Sequence, residues 1–300
     1  MLDPSEQAAL SCAVDVPPRA SAIDAATWSW KGVRAWAEQQ YAKHLSPRSC
    51  LRYLHRLGFV WKRPKRLLLK ADAAKRTAFV DLYRALLADA TARGARIFFV
   101  DEAHVRADGD LRGLWVRRGA EALVPSTSPG NGAKASYYGG VCRETGAVCA
   151  AQLEGTSTAQ TSVAFLQALR EEFPGEVIVI WDNGPAHHGP ALRAYLQTPD
   201  LHLRLIALPA YSPDYNPAEE LWKWIREDVT ANTCFGTGAK VAAAVWEFLL
   251  GLNTRLDEVK QRCQNELQTA AFPERARHPE RRLRRLEQRR QRTVQAALAM

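Results

Sequence analysis

Hydrophobic residues near the start of the chain recur at three- and four-residue steps, which is the spacing of one face of a helix. A first helix is predicted from Thr27 onward. Its apolar face is formed by Trp30, Val33, Ala37 and Tyr41. Before it, residues 1–27 are weakly patterned, and two adjacent prolines interrupt any helix. We therefore interpret residues 1–27 as a linker or as the remnant of a first helix-turn-helix.

A second helix is predicted after a tight turn, because Ser46 is a favourable N-cap and Pro47 suits the first helical position. Gly58 is expected to end it. The residues predicted to face inward are Leu51, Leu54 and Leu57. Two short helices joined in this way predict a small all-α helix-turn-helix domain of winged-helix-like character over residues 28–70.

The outward face of the second helix is rich in side chains that can reach phosphates and base edges in a major groove. These side chains are Arg48, Ser49, Arg52, Tyr53 and Arg56. A basic strap is predicted to follow along the DNA backbone. The strap consists of Lys62, Arg63, Lys65 and Arg66. A solvated basic face on a purely structural helix pair remains the alternative interpretation.

The hydrophobic period changes from residue 96 onward, after a long connecting helix predicted over residues 71–95. Short apolar runs separated by glycine-containing turns predict strands over 96–100, 114–117, 136–142, 147–153, 176–181 and 202–208. Helical patterns occupy residues 161–173, 189–197 and 217–230. This order predicts an α/β domain over residues 96–252, in which helices pack on a mixed sheet.

The net charge of +9 is unevenly distributed along the chain. Residues 31–76 carry a net charge of +11 and residues 273–292 carry +6, so the rest of the chain sums to −8. Basic flanks around an acidic centre suit a protein whose ends grip a polyanion and whose centre holds cations. Solubility alone is the competing explanation of the basic excess. Residues 253–300 are predicted to form a basic helical tail.

Other functional classes are disfavoured by composition. The six cysteines form no Cys-x-x-Cys pair, which argues against structural zinc and against a disulfide framework. No apolar run reaches the length of a membrane span, and acids stand where a signal peptide carries Lys or Arg. We therefore expect a cytoplasmic protein without a membrane partner.

Three acidic residues are distinguished by their positions. Asp101 and Asp182 each follow an apolar run that predicts a buried strand, and Glu219 opens a predicted helix. Three converging carboxylates repel one another by several kcal/mol at low effective dielectric, so a cation must compensate them. Mg²⁺ is the natural partner of oxygen ligands, and Mn²⁺ can substitute. Two such ions about 3.5–4 Å apart support in-line phosphoryl displacement.

Three sequence blocks surround these acids: Phe98–Glu102, Trp181–His187 and Leu208–Glu219. Together they resemble the catalytic blocks of mariner-related transposases of bacterial insertion sequences, the 630 family. The third block is the most specific of the three, because it is long and ordered. Between Asp182 and Glu219 lie 36 residues, close to the interval usual in that family.

The resemblance implies an RNase H-like fold, Mg²⁺ dependence, cleavage of double-stranded DNA at terminal inverted repeats, and insertion at TA dinucleotides of the target. Asp101 would then bridge two ions, with Asp182 on one and Glu219 on the other. Asn183 and His187 match positions near the site and are assigned a supporting role. We also expect a homodimer, because a synaptic complex must hold two element ends together, and association with the nucleoid.

One departure from the family concerns DNA recognition. Members usually carry two successive helix-turn-helix units, and the sequence shows one, which leaves recognition of the terminal repeats open. Two other functions therefore stay open. One is a DNA-binding protein derived from a decayed or truncated element, and the other is an RNase H-like nuclease that hydrolyses DNA without joining it. Glu102 and Glu220, which neighbour the triad, are interpreted as acids outside the metal site.

Overall fold

The computed structural model describes residues 1–62, 70–127, 132–263 and residue 267. These residues belong to two compact units, one ending before residue 70 and the other beginning at Lys70. The first unit is helical, and the second contains the β-sheet. Within the described residues, no helix is both long and apolar enough to cross a membrane.

The N-terminal unit is built from α1 (Pro4–Val14), α2 (Trp30–Tyr41) and α3 (Pro47–Arg56). Helices α2 and α3 lie where the sequence predicts them. Ser46 caps α3 by accepting a hydrogen bond from Ser49 N–H at 3.1 Å, which makes Ser49 part of the cap. Gly58 follows the helix with a φ of 85°, a conformation that favours glycine.

Of the two interpretations of residues 1–27, the linker is wrong, because α1 occupies part of that segment, and the remnant of a first helix-turn-helix stays a prediction. Asp3 and Glu6 form a capping box in which each side chain accepts from the backbone N–H of the other. Leu2, Leu10 and Ile23 are buried in the same core as α2 and α3. This burial supplies the stabilisation that the weak hydrophobic pattern of α1 does not suggest.

The exposed face of α3 differs from the prediction at two positions. The basic side chains Arg48, Arg52 and Arg56 are exposed, as predicted. Tyr53 was assigned to the same face but is buried, and its hydroxyl accepts a hydrogen bond from Leu2 N–H at 2.8 Å. Leu51, predicted to face inward, is 46% exposed, while Cys50 is fully buried. The buried face of α3 is therefore formed by Cys50 and Tyr53, with Leu54 and Leu57 partly buried against the same core.

The predicted basic strap lies mostly outside the described residues. Lys62 is exposed. The remaining predicted members are Arg63, Lys65 and Arg66, and all three fall in the segment 63–69.

A five-stranded mixed sheet forms the centre of the second unit, with the strand order β3-β2-β1-β4-β5. The strands are β1 (Arg96–Arg106), β2 (Lys134–Cys142), β3 (Val148–Leu153), β4 (Val177–Trp181) and β5 (Leu203–Ala207). The pairs β1–β2 and β2–β3 are antiparallel, whereas β1–β4 and β4–β5 are parallel. The helices are α4 (Ala73–Arg93), α5 (Ala159–Glu172), α6 (Pro190–Leu196), α7 (Ala218–Asp228), α8 (Gly238–Leu252) and α9 (Leu256–Arg262).

Side chains alternate along β1 and divide the core of this unit into two layers. Ile97, Phe99 and Val105 face the layer that contains α4, α7 and α8. Phe98 and Val100 face the opposite layer, which contains α5 and α6. The sheet therefore lies between two helical layers, and β1 is in contact with both.

Three predicted boundaries need correction. The connecting helix α4 is part of the sheet's core, because Phe79 and Tyr83 are buried against β1. The predicted strand 114–117 lies outside the sheet, and Trp115 at its centre is fully exposed. The tail predicted from residue 253 begins too early, because α9 contributes the buried Val259 to the core.

Candidate active site

Asp101 lies within β1 and not at its end, which corrects the sequence prediction. The strand continues because its antiparallel pairing with β2 persists, with Asp101 opposite Gly139. Its parallel pairing with β4, in contrast, stops at Phe99. Asp101 therefore lies just beyond the carboxyl end of the parallel pair, where ligand sites of α/β sheets commonly form.

Asp182 directly follows β4, as predicted, and reaches the same edge of the sheet. Its side chain is 56% exposed. One carboxylate oxygen, Oδ1, accepts a hydrogen bond from Gly184 N–H at 2.8 Å. This short turn holds the carboxylate at the mouth of the site and leaves the second oxygen available to a ligand.

Glu219 is in the first turn of α7, as predicted. The helix packs closely on the sheet because Gly139 has no side chain. A Cβ at Gly139 would lie 2.6 Å from the Trp222 ring, far inside van der Waals contact. Since Gly139 pairs with Asp101, this close approach brings α7 onto the part of the sheet that carries Asp101.

The three carboxylates of Asp101, Asp182 and Glu219 line one cleft of about 380 Å³. The rest of its lining comes from residues 183–184, residues 208–213 and Asn216. The structure thus brings together three acids that are up to 118 positions apart in the sequence.

Burial, together with the nearby charges of Glu219, Glu102 and Asp182, raises the pKa of Asp101 to about 8. Burial also raises the pKa of Glu219, although Arg226 opposes the shift. Both shifts show that ionised carboxylates in the cleft are short of compensating positive charge. Hard oxygen ligands with excess negative charge are the donor set that Mg²⁺ and Mn²⁺ prefer, so these residues fit a divalent metal.

His187 joins Asp182 to Glu102 on the other side of β1. Its Nε2 lies 3.2 Å from Glu102 Oε2 and 3.3 Å from Asp182 Oδ1, and its ring stacks on Trp181 at 4.0 Å between ring centroids. Burial opposes its protonation, but the hydrogen bonds to the two carboxylates outweigh burial and raise the pKa of His187 to about 9. The same hydrogen bond lowers the pKa of Asp182.

Glu102, Asp182 and His187 offer ligand atoms within 4.8 Å of one another, a spacing that could also hold a metal ion. A protonated imidazole has no free lone pair, however, and donates hydrogen bonds from both nitrogens. Without a bound ion, the raised pKa of His187 makes these three residues an ion-paired trio. His187 contacts Asp182 but does not line the cleft, and its supporting role stays a prediction.

Asn183, the other predicted supporting residue, does not contact a carboxylate of the triad in the described hydrogen bonds. Its Nδ2 donates to Leu208 O at 2.6 Å. This bond ties the turn after β4 to the segment that follows β5, so Asn183 acts on the shape of the cleft wall.

Sequence reasoning missed Arg76, Gly139 and Asn216 at this site. Asn216 lies in the third sequence block, which assigns it no role, yet its side chain is buried and hydrogen-bonded to β1. Gly139 has no feature in the sequence that distinguishes it from any other strand glycine, because its importance comes from its contact with the Trp222 ring. Arg76 is one of many basic residues in its region and carries no local signal.

Comparison with known proteins shows which proteins the chain is similar to. Residues 96–241 match the DDE superfamily endonuclease family, and residues 24–83 match the winged helix-turn helix family. A 39 kDa protein of insertion element IS630 from Shigella sonnei, described as uncharacterized, is 26% identical over 183 residues. The chain is therefore similar to DDE transposases of the IS630 and mariner group. This is the group that the three sequence blocks resemble.

The matched regions cover only part of the curated relatives. The alignment with the Shigella sonnei protein spans 60% of this chain and 52% of that protein. The Tcb2 transposase of Caenorhabditis briggsae is 28% identical over 96 residues, which are 31% of this chain and 34% of that protein. The chain therefore spans about half of the first relative and a third of the second.

Solved structures of Mos1 transposase resemble the chain over most of its length. The mariner Mos1 paired-end complex with Mg has a TM-score of 0.58 at 19% identity and covers 87% of this chain and 77% of that chain. The paired-end complex with the left transposon end has a TM-score of 0.55 at 20% identity, with coverages of 88% and 80%. This likeness confirms the predicted RNase H-like fold preceded by a helix-turn-helix domain.

Proposed function

We propose that the chain is a transposase that cuts double-stranded DNA at terminal inverted repeats and joins the ends to target DNA, at TA sites. The observation that carries this proposal is the single cleft in which Asp101, Asp182 and Glu219 meet. The match of residues 96–241 to the DDE superfamily endonuclease family supports it, because all three acids lie within the matched range. The reaction would take place in the cytoplasm, at the nucleoid.

Asp101, Asp182 and Glu219 would hold two Mg²⁺ ions, and Mn²⁺ would substitute. Structures of the Mos1 complex with Mg and with Mn support this choice of ions. When bound, the ions would activate a water or 3′-hydroxyl and stabilise the leaving oxygen. His187 keeps Asp182 ionised and oriented, and Asn183 holds the cleft wall in place.

The N-terminal unit would bind the DNA. The exposed arginines of α3 suit contacts with phosphates and base edges, and Lys62 would add a backbone contact. A steep fall of affinity with rising salt is expected, because each neutralised phosphate releases counterions. The paired-end complexes of Mos1 support a homodimer that holds two DNA ends.

The Asp182→Asn variant tests the proposal. The amide keeps the size of the side chain but cannot act as an anionic ligand, so cleavage of a plasmid bearing the element ends should slow by on the order of 10⁴-fold. Asp200→Asn is the matched control, because Asp200 is exposed in a turn that is not part of the cleft lining. Full cleavage by the Asp182→Asn chain would show that the triad is assigned wrongly.

A strand-transfer assay with precut ends separates the remaining functions. Joining of these ends to a target plasmid supports a transposase. Hydrolysis without joining would instead identify an RNase H-like nuclease. DNA binding with no cleavage in Mg²⁺ or Mn²⁺ would identify a DNA-binding protein derived from a decayed element.

A further inference from the structure

Residues 208–217, the presenting loop, connect β5 to α7 and form one wall of the cleft. The loop contains a short 3₁₀ turn, Pro213–Tyr215, and Tyr211 has a φ of 58°. A positive φ is unfavourable for a side chain as large as tyrosine. Contacts from outside the loop must therefore hold it in this shape.

Arg76 of α4 makes such contacts at three residues of the presenting loop. Its Nη1 donates to Ser212 Oγ at 2.9 Å and to Asp214 Oδ1 at 3.0 Å, and its Nη2 donates to Asp214 Oδ2 at 2.5 Å. The guanidinium carbon also lies 3.9 Å from the centroid of the Tyr215 ring. One side chain thus contacts the hydroxyl of Ser212, the carboxylate of Asp214 and the ring face of Tyr215.

The burial of Arg76 indicates that these contacts fix the position of the presenting loop. Its side chain is only 6% exposed, whereas that of Asp214 is 40% exposed. Burying a guanidinium costs free energy that an ion pair at best offsets, so stability alone gives little reason to keep it. A planar fork that meets a carboxylate at two points fixes both distance and orientation, which the ammonium of lysine does not do.

Asn216 transmits the position of the presenting loop to the carboxylates. Its Nδ2 donates to Val100 O at 3.0 Å, and its Oδ1 accepts from Ala218 N–H at 3.2 Å. Val100 immediately precedes Asp101, and Ala218 immediately precedes Glu219. One amide therefore joins the strand that carries Asp101 to the helix that carries Glu219.

We propose that Arg76 is a positioning residue that acts through Ser212, Asp214 and Tyr215. By fixing the presenting loop, it sets the position of Glu219 relative to Asp101. This proposal rests on the proposed function, because the relative position of the two acids matters for metal-dependent cleavage.

Hydrogen exchange of the full chain, without metal or DNA, tests the loop contact independently of catalysis. Arg76→Met removes the fork and Arg76→Lys keeps the charge, and both should speed exchange in the presenting loop and first turn of α7 by about tenfold or more. The amides that report this change are those of Tyr215, Asn216 and Glu219, each hydrogen-bonded within that segment.

Arg204→Met is the matched control. Arg204 of β5 also pairs with an acid of α4, Asp89, at 2.6 Å, but this ion pair does not involve the presenting loop. We expect exchange in the loop to be unchanged in this variant. Asp214→Asn is the second test variant and carries the same expectation as Arg76→Met, because it breaks the fork from the exposed side should Arg76→Met fail to fold.

Cleavage kinetics then test the positioning role, at a temperature where thermal melting shows each variant to be folded. Arg76→Met should lower kcat by about 100-fold and leave KM for DNA unchanged, because a misplaced ligand affects chemistry more than binding. Affinity for Mn²⁺, measured by titration without DNA, should fall by about tenfold. Arg76→Lys should recover little of either loss.

Three results would overturn the proposal or separate it from the proposed function. Unchanged loop exchange in Arg76→Met, or in Asp214→Asn if Arg76→Met does not fold, would show that the contact does not hold the loop. Faster exchange with kcat and Mn²⁺ affinity equal to those of Arg204→Met would reduce Arg76 to a structural role. Faster exchange and weaker Mn²⁺ binding, with no cleavage even by the unmodified chain, would support the positioning role while contradicting the proposed function.

Discussion

The two faces of β1 carry acidic clusters that differ in how their charge is balanced. On one face, Glu102 and Asp182 share the buried cation of His187. On the other, Asp101 and Glu219 form no ion pair within the described residues, and burial raises the pKa of each. In the first cluster the protein itself supplies a cation that offsets one of the two negative charges, whereas the second needs a cation from solution.

Asp182 connects the two clusters, because it bonds to His187 and also lines the cleft. A carboxylate fixed by an internal cation keeps its charge and orientation before any metal arrives. Neighbouring acids therefore have different roles: one cluster holds its side chains in fixed positions, and the other carries negative charge that the protein does not balance. Variants in each cluster should consequently affect stability in opposite directions.

The largest effect is expected from Asp101→Asn. Cleavage should slow by on the order of 10⁴-fold, because an anionic ligand is lost. At pH 9 in EDTA, above the raised pKa of Asp101, the variant should nevertheless melt at a higher temperature, because the amide removes a buried charge that its neighbours repel. Plasmid cleavage and thermal melting measure the two effects. A lower Tm would contradict the view that the cleft lacks positive charge.

His187→Ala should have the opposite effect on stability. Removing the shared cation leaves the carboxylates of Glu102 and Asp182 close together and unpaired, and should cost about 3–5 kcal/mol of unfolding free energy. His188→Ala is the matched control, since His188 is exposed, and should change stability by no more than about 0.5 kcal/mol. Urea unfolding measures both. Equal stability of the two variants would mean that the contacts of His187 with Glu102 and Asp182 do not stabilise the fold.

The pH dependence of the metal-free chain should reveal the unbalanced cluster. The pKa of Asp101 rises from 3.8 to about 8 on folding, so the folded state binds the proton more tightly. Its contribution to stability is full below pH 4 and is lost as the pH rises towards 8. Urea unfolding in EDTA should show a loss on the order of a few kcal/mol over this range.

Two controls isolate that contribution. Asp101→Asn should show a flatter pH dependence, because the titrating group is absent. Mg²⁺ should restore stability at the higher pH, since an ion that binds only the folded chain stabilises it by mass action. An identical pH profile for the variant and the unmodified chain would exclude Asp101 as the source.

A smaller effect is expected from Gly139→Ala, which acts through packing. The added methyl would meet the Trp222 ring and push α7 away from the sheet, at a cost of about 1–3 kcal/mol. Cleavage should fall as well, because Glu219 moves with α7. Gly113→Ala, at an exposed glycine with nothing within 4 Å, should change neither quantity. Loss of stability without loss of cleavage would show that α7 tolerates displacement.

Elements with strong local signals could be predicted from the sequence. Asp72 and Gly94 mark the ends of α4, and Ser46 marks the start of α3, because capping depends on a few adjacent residues. Asp182 and Glu219 were likewise placed correctly in the fold, since each adjoins an element with a clear hydrophobic period.

Features that depend on distant partners could not be predicted. The length of β1 is set by pairing with β2, which local hydrophobicity around Asp101 does not reveal. The orientation of α3 depends on the segment just before α1, because Leu2 donates a hydrogen bond to Tyr53, which is 51 positions away in the sequence. Arg76 and Asp214 are 138 positions apart in the sequence, so the residues next to either one do not indicate this ion pair.

The placement of Asp101 inside a paired strand also determines how the site can adapt. A residue in the middle of a hydrogen-bonded ladder has little backbone freedom, whereas Asp182 lies in a turn and Glu219 at the start of a helix. Any adjustment between cutting one strand and joining another would therefore fall on the last two residues. Asp101 would stay in place, and its distances to Asp182 and Glu219 would change.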